Sequence, residues 1–231
     1  MLAGELELST NWGLPGVGYL LMIRPDPAAA AALANVQRQV LTLEPALLRQ
    51  PESQLHMSIA WLLPVRREFS EPKDALWASR GDGWLAAITA ITEATGPMRL
   101  RYRRLVAADA AIIAVAAEPN PVGRLRREIT AALDLPWPIT YSSVETVHAS
   151  LFRYRQPLTD PAGLLRRLES LVIDIETEVS ELLMVRESIY PTLAYEVLRR
   201  LPLRGEPAGA QPDGAQPDGA QPDGGEPGVQ P

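Results

Sequence analysis

The chain has 231 residues, 28 acids against 22 bases for a net charge of −6, and no cysteine. That composition excludes a disulfide-stapled scaffold and a thiolate metal centre. Five of the acids (Glu206, Asp213, Asp218, Asp223 and Glu226) lie beyond residue 204 with no base among them, so residues 1–204 are close to neutral and the low pI does not signal acidic chemistry.

The N-terminus, MLAGELELST, carries acids where a secretory signal needs a basic start and an apolar stretch. No run approaches the ~18 apolar residues of a membrane span. A cytoplasmic protein with no membrane partner is expected. Residues 16–27, GVGYLLMIRPDP, read as a buried strand that stops at a Pro pair. A helix follows in AAAAALANVQRQVL, with Asp26 as its N-cap and Pro27 at its first position. LHMSIAWL (55–62) is the next strand, and residues 83–96 the next helix. Residues 98–108 alternate apolar positions with Arg99, Arg101 and Arg103, the pattern of a half-solvated strand.

The same order then recurs. AAIIAVAAEPNP (110–121) is a strand ending in a Pro pair, with Asn120 and Pro121 in the capping roles. A helix with apolar Val122, Leu125, Ile129 and Leu133 follows, then the strand VHASLFRY (147–154), then a helix over 160–172. Pro25 to His56 is 31 residues and Pro119 to His148 is 29. Such a duplication implies two similar lobes. Strands over 178–188 and 194–203 close the folded part. The expected fold is α+β over residues 1–204. Two pseudo-symmetric lobes, each a small and mostly antiparallel sheet with outer helices, face each other across a central cleft. Residues 205–231, which read GAQPD three times over 209–223, hold almost nothing apolar, so a disordered tail is expected there.

The chain has only two histidines, and each is followed two residues later by a serine. Alternation along a strand puts His56 with Ser58, and His148 with Ser150, Phe152 and Tyr154, on one face. Serine and threonine total 22 of 231, so both coincidences together arise by chance in about one sequence in a hundred. Two imidazoles across a cleft suit general acid–base catalysis near neutral pH: one removes a proton, the other delivers one to a leaving oxygen. The two hydroxyls are placed to hydrogen-bond a phosphate between them. With no cysteine, two histidines and no His-x-x-x-His spacing, no metal or other cofactor is expected.

These residues resemble the two-histidine (2H) phosphoesterase superfamily, whose bacterial branch holds the 2′-5′ RNA ligase and RNA 2′,3′-cyclic phosphodiesterase group. HMSI (56–59) matches its His-hydrophobic-Ser/Thr-hydrophobic motif well; HASL (148–151) departs from it mildly at Ala149. The resemblance covers most of residues 16–203. It implies that His56 and His148 are the acid–base pair and that Ser58 and Ser150 bind phosphate. It also implies metal-independent hydrolysis of a 2′,3′-cyclic phosphate or 2′-5′ linkage. Reversible 2′-5′ RNA ligation and a non-catalytic nucleotide- or RNA-binding module are the alternatives. A small nucleotide or RNA end is the expected partner, bound by a monomer, with no DNA.

Further candidates are weaker in kind. Phe152 and Tyr154 share the expected site face and are candidates to stack on a base. Tyr141 precedes the second motif in a loop and is a candidate to line the cleft. Alternation sends Arg153 and Arg155 to the opposite face. GVG (16–18) lacks the glycine spacing of a dinucleotide loop and precedes a strand. No Gly-x-Ser-x-Gly elbow is present.

Overall fold

The computed structural model describes residues 6–44, 47–117, 120–137 and 146–206. In chain order, strand β1 (Pro15–Ile23) leads into helix α1 (Pro27–Leu41), then a short β2 (Leu47–Arg49), a single 3-10 turn (Glu52–Gln54) and β3 (Met57–Leu63). Helix α2 (Lys73–Ala94), β4 (Met98–Ala107) and β5 (Ala111–Ala116) follow. The second unit runs through α3 (Pro121–Ala132), β6 (His148–Tyr154) and α4 (Pro161–Ser170). The chain closes with β7 (Ile175–Val179), β8 (Glu181–Ile189) and β9 (Ala194–Pro202).

The strands form two antiparallel sheets: β3-β1-β8-β9 and β2-β6-β5-β4-β7. The expected α+β architecture with two small sheets is therefore what the chain adopts. The two sheets take their strands from alternating parts of the chain. β2 pairs in the five-stranded sheet and the chain then crosses to the other sheet as β3. Helix α1 follows β1 yet packs against β6 and β7, and α3 follows β5 yet packs against β3. Among the described residues no helix is long and apolar enough to cross a membrane.

Two helices start as the Pro pairs suggest, and α4 starts in the same way. The side chains of Asp26, Asn120 and Asp160 accept from the backbone N–H groups of Ala29, Gly123 and Gly163, each ahead of a proline at the first position. Asp26 also accepts from Glu178 N at 3.0 Å, which ties α1 to β7. The outer face of the four-stranded sheet is sealed by α2. Trp77 stacks on Tyr19 at 4.5 Å, and Asp74 takes the Tyr19 hydroxyl at 2.6 Å and both arms of Arg186 at 2.7 and 2.8 Å.

Two expectations need correction, and a third holds with an addition. The helix expected over 83–96 begins ten residues earlier, at Lys73, and runs through Gly81 and Gly83. The single strand expected over 178–188 is two. β7 lies in the five-stranded sheet and β8 in the four-stranded one, with Ser180 between them. Arg99, Arg101 and Arg103 are solvent-exposed as expected, but they are also paired, with Glu176 and Asp174.

Candidate active site

Both motif strands carry a β-bulge at the same place. In β3, Met22 faces Ser58 but its neighbour Leu21 faces Ala60, so Ile59 is an extra residue. In β6, Ile113 faces Ser150 but Ile112 faces Phe152, so Leu151 is the extra one. A bulge turns two consecutive residues to one side and reverses the alternation beyond it. Ile59 and Ala60 both enter the main core, as do Leu151 and Phe152.

The reversal rearranges the expected site face. Phe152 and Tyr154 are fully buried in the core opposite the histidine face, and the Tyr154 hydroxyl donates to Ala108 O at 3.0 Å. They line no cleft. Arg153 and Trp61 take the positions beyond Ser150 and Ser58 instead. Trp61 packs with Tyr195 over Leu20, Met22, Leu183 and Val185, an apolar floor on the face opposite α2. Strand alternation alone had assigned Arg153 and Trp61 to the other face, because a bulge has no signature in a single sequence. Tyr141 lies outside the described residues.

The strands that carry the four motif residues do come together. His56 and Ser58 precede and open β3, His148 and Ser150 open β6, and all four are half-buried. β3 and β6 belong to different sheets and contact each other directly. The two imidazoles are held alike. His56 Nδ1 donates to Gln54 O at 2.8 Å and His148 Nδ1 donates to Thr146 O at 3.1 Å, each two residues back along its own chain. A carbonyl only accepts, so Nδ1 carries the proton in both neutral rings. Nε2 is then the basic nitrogen of each.

Burial pushes the His56 ring down to about 4, assisted by the cations Arg153 and Arg24 and by His148; its bond to Gln54 opposes the shift. His148 is lowered as well, again chiefly by burial, with Arg126 and Arg153 adding to it. Both rings are therefore neutral at pH 7 in the free protein, and Arg153 bears on both. The buried Arg153 Nε has no hydrogen-bond partner among the described residues, and Nη1 reaches Ala110 O only at 3.5 Å. Arg126, from helix α3, which packs on β3, donates to Ser58 O at 2.8 Å and so fixes the first motif. The surroundings of the two rings are rich in cations and neutral donors, the electrostatics of an anion site. Among the described residues no group of three or more His, Asp or Glu side chains is placed to hold a metal ion.

Glu187, on β8, is fully buried, and Arg153 bears on it as well. One carboxylate oxygen accepts from Thr192 N and the other has no partner among the described residues. Burial raises its pKa to about 7.

No family model matches the chain, and no curated protein matches it in sequence. Solved structures do. TT0787 of Thermus thermophilus superposes with a TM-score of 0.60 at 19% identity, covering 82% of this chain and 99% of that one. ATU0111, a conserved protein of unknown function from Agrobacterium tumefaciens, gives 0.58 at 15% identity over 83% and 90%. E. coli LigT in complex with 3′-AMP gives 0.54 at 13% identity over 82% and 98%. The fold of this chain is that of TT0787 and E. coli LigT.

Proposed function

We propose that the protein is a two-histidine phosphoesterase that hydrolyses a 2′,3′-cyclic phosphate or a 2′-5′ phosphodiester in an RNA end or small nucleotide. One observation carries the reading. Two imidazoles on bulged strands of different sheets are anchored through Nδ1 in the same way, each beside a serine hydroxyl, with Arg153 acting on both. The E. coli LigT structures with 3′-AMP and with phosphate show that this fold accommodates such ligands in that protein.

The chemistry follows from the charges. Both rings start neutral. The phosphodiester anion settles between them, where Arg153 and the hydroxyls of Ser58 and Ser150 hold its non-bridging oxygens. Its negative charge raises the proton affinity of the nearby rings, so one of them becomes an imidazolium. The neutral ring takes a proton from water as the water oxygen bonds to phosphorus. The charged ring gives its proton to the ribose oxygen as that P–O bond breaks. One proton is taken up and one released, so the pair returns to its starting charge with the roles exchanged. If a 5′-hydroxyl replaces water, the same steps run as 2′-5′ ligation. Trp61 and Tyr195 offer the base a flat apolar surface.

The test is turnover of 2′,3′-cyclic nucleotides and 2′-5′ dinucleotides in excess EDTA, with His56→Ala and His148→Ala alongside. Turnover that survives EDTA and falls by several orders of magnitude in both variants is expected. Full activity in both variants would refute the assignment. Nucleotide binding without product would identify a binding module instead.

A further inference from the structure

We propose that Gln50 is a positioning residue for His56, setting its tautomer and aim by fixing the carbonyl on which the ring hangs; the catalytic consequence rests on the function proposed above.

Gln50 follows β2 and is 4% exposed. Its side-chain amide donates to Gln54 O and to Pro191 O, both at 3.3 Å. Both partners are carbonyls, so only the NH2 end of the amide can face them. Gln54 O is also the acceptor of His56 Nδ1–H at 2.8 Å. A carbonyl has two lone pairs, and here one serves the catalytic ring and the other Gln50.

The backbone of Gln50 is fixed in turn. Its N–H donates to Leu151 O at 3.0 Å, and its carbonyl accepts from Gln37 Nε2 at 2.8 Å. Gln37 lies on α1, is fully buried, donates again to Leu151 O at 2.9 Å, and accepts from Arg49 Nε at 3.0 Å. Leu151 is the bulge residue of the second motif, next to Ser150. A chain of buried amides thus runs from the strand of His148 to the anchor of His56. β3 and β6 share no ladder, so these bonds tie the two motifs where backbone pairing does not. Pro191 brings in the turn between β8 and β9 as a third support.

The chemistry needs this. His56 Nε2 is a base only while Nδ1 keeps its proton, and the Nδ1–H bond strengthens when the ring becomes an imidazolium. A carbonyl already oriented stabilises that charge without reorganising during the reaction. Without Gln50 the peptide carrying Gln54 O can turn, and the ring loses both its aim and a bond that raises its proton affinity.

The variant is Gln50→Met, close in shape and without an N–H donor. Gln50→Asn, a methylene too short to reach Gln54 O, repeats the test in a polar side chain should the first fail to fold. Two histidines give two sets of imidazole 15N signals, readable without any substrate. The expected result has three parts. His56 changes from a single Nδ1–H form to a tautomer mixture with proton uptake at lower pH; His148 is unmoved; and kcat for a 2′,3′-cyclic nucleotide falls about 10- to 100-fold with little change in KM. Folded variants with unchanged His56 signals overturn the proposal whatever happens to kcat, and equal shifts at both histidines do so too, since they would mean general loosening. If the wild-type protein turns over none of these substrates, the functional reading fails and the imidazole signals still decide the role of Gln50.

Discussion

The buried charges predict an unusual cancellation in the pH dependence of stability. His56 protonates near pH 4 when folded against 6.5 as a free group, so between those values the unfolded chain binds more protons and acid favours unfolding. Glu187 has the opposite sign. It protonates near 7 when folded against 4.5 as a free group, so between those values the folded chain binds more protons and stability falls as pH rises. At about 1.36 kcal/mol per pKa unit, moving from pH 7 to pH 4.5 costs roughly 2–3 kcal/mol at His56 and returns roughly 2–3 kcal/mol at Glu187. His148, also lowered, adds to the acid-sensitive side. Asp74, held near 2 by Arg186 and Tyr19, and Asp26, lowered by the backbone N–H bonds it accepts, lose their stabilisation only as the pH falls below their ordinary value of 3.8, outside this window. The perturbation is Glu187→Gln, which keeps an oxygen for Thr192 N and removes the titration. Urea unfolding followed by circular dichroism at pH 7 and 4.5 reads the outcome. The variant is expected to lose roughly 2–3 kcal/mol across the interval, while His56→Asn, which keeps a donor for Gln54 O, gains about as much and the wild type changes little. A Glu187→Gln protein equally stable at both pH values would refute the reasoning.

Arg153→Leu removes the cation that acts on both rings; inorganic phosphate binding measured by calorimetry is expected to weaken about 10- to 100-fold, the worth of a charge-assisted hydrogen bond, and both histidines are expected to titrate at higher pH. Unchanged phosphate affinity would remove Arg153 from the site. Tyr154→Phe deletes only the bond to Ala108 O; it is expected to cost about 1 kcal/mol in urea unfolding and leave kcat/KM as in the wild type, and a loss of activity without a loss of stability would return Tyr154 to the cleft.

Much of the architecture was legible because local signals agreed with the fold. Asp26-Pro27 and Asn120-Pro121 mark helix starts by a mechanism that acts within four residues, and the duplicated order of elements placed His148 on a strand and His56 at the entry to one. What was hidden depends on partners. The bulges at Ile59 and Leu151 exist only in the register against β1 and β5, so alternation misplaced Phe152, Tyr154, Trp61 and Arg153 together. The break at Ser180 was hidden for a similar reason: extended residues continue on both sides, and only the change of sheet separates β7 from β8. The early start of α2 was obscured by Gly81 and Gly83, which weaken a helix pattern, and by Pro72, which caps without a side-chain hydrogen bond.

The most direct measurement is a titration of 15N-histidine-labelled protein with adenosine 3′-monophosphate at pH 7. If one phosphate sits between the two rings, both sets of imidazole signals shift along a single saturation curve, in the direction of protonation, because the incoming charge raises the proton affinity of each. Signals from only one ring moving, or neither, at concentrations where the nucleotide is bound would contradict a shared site and with it the two-histidine mechanism.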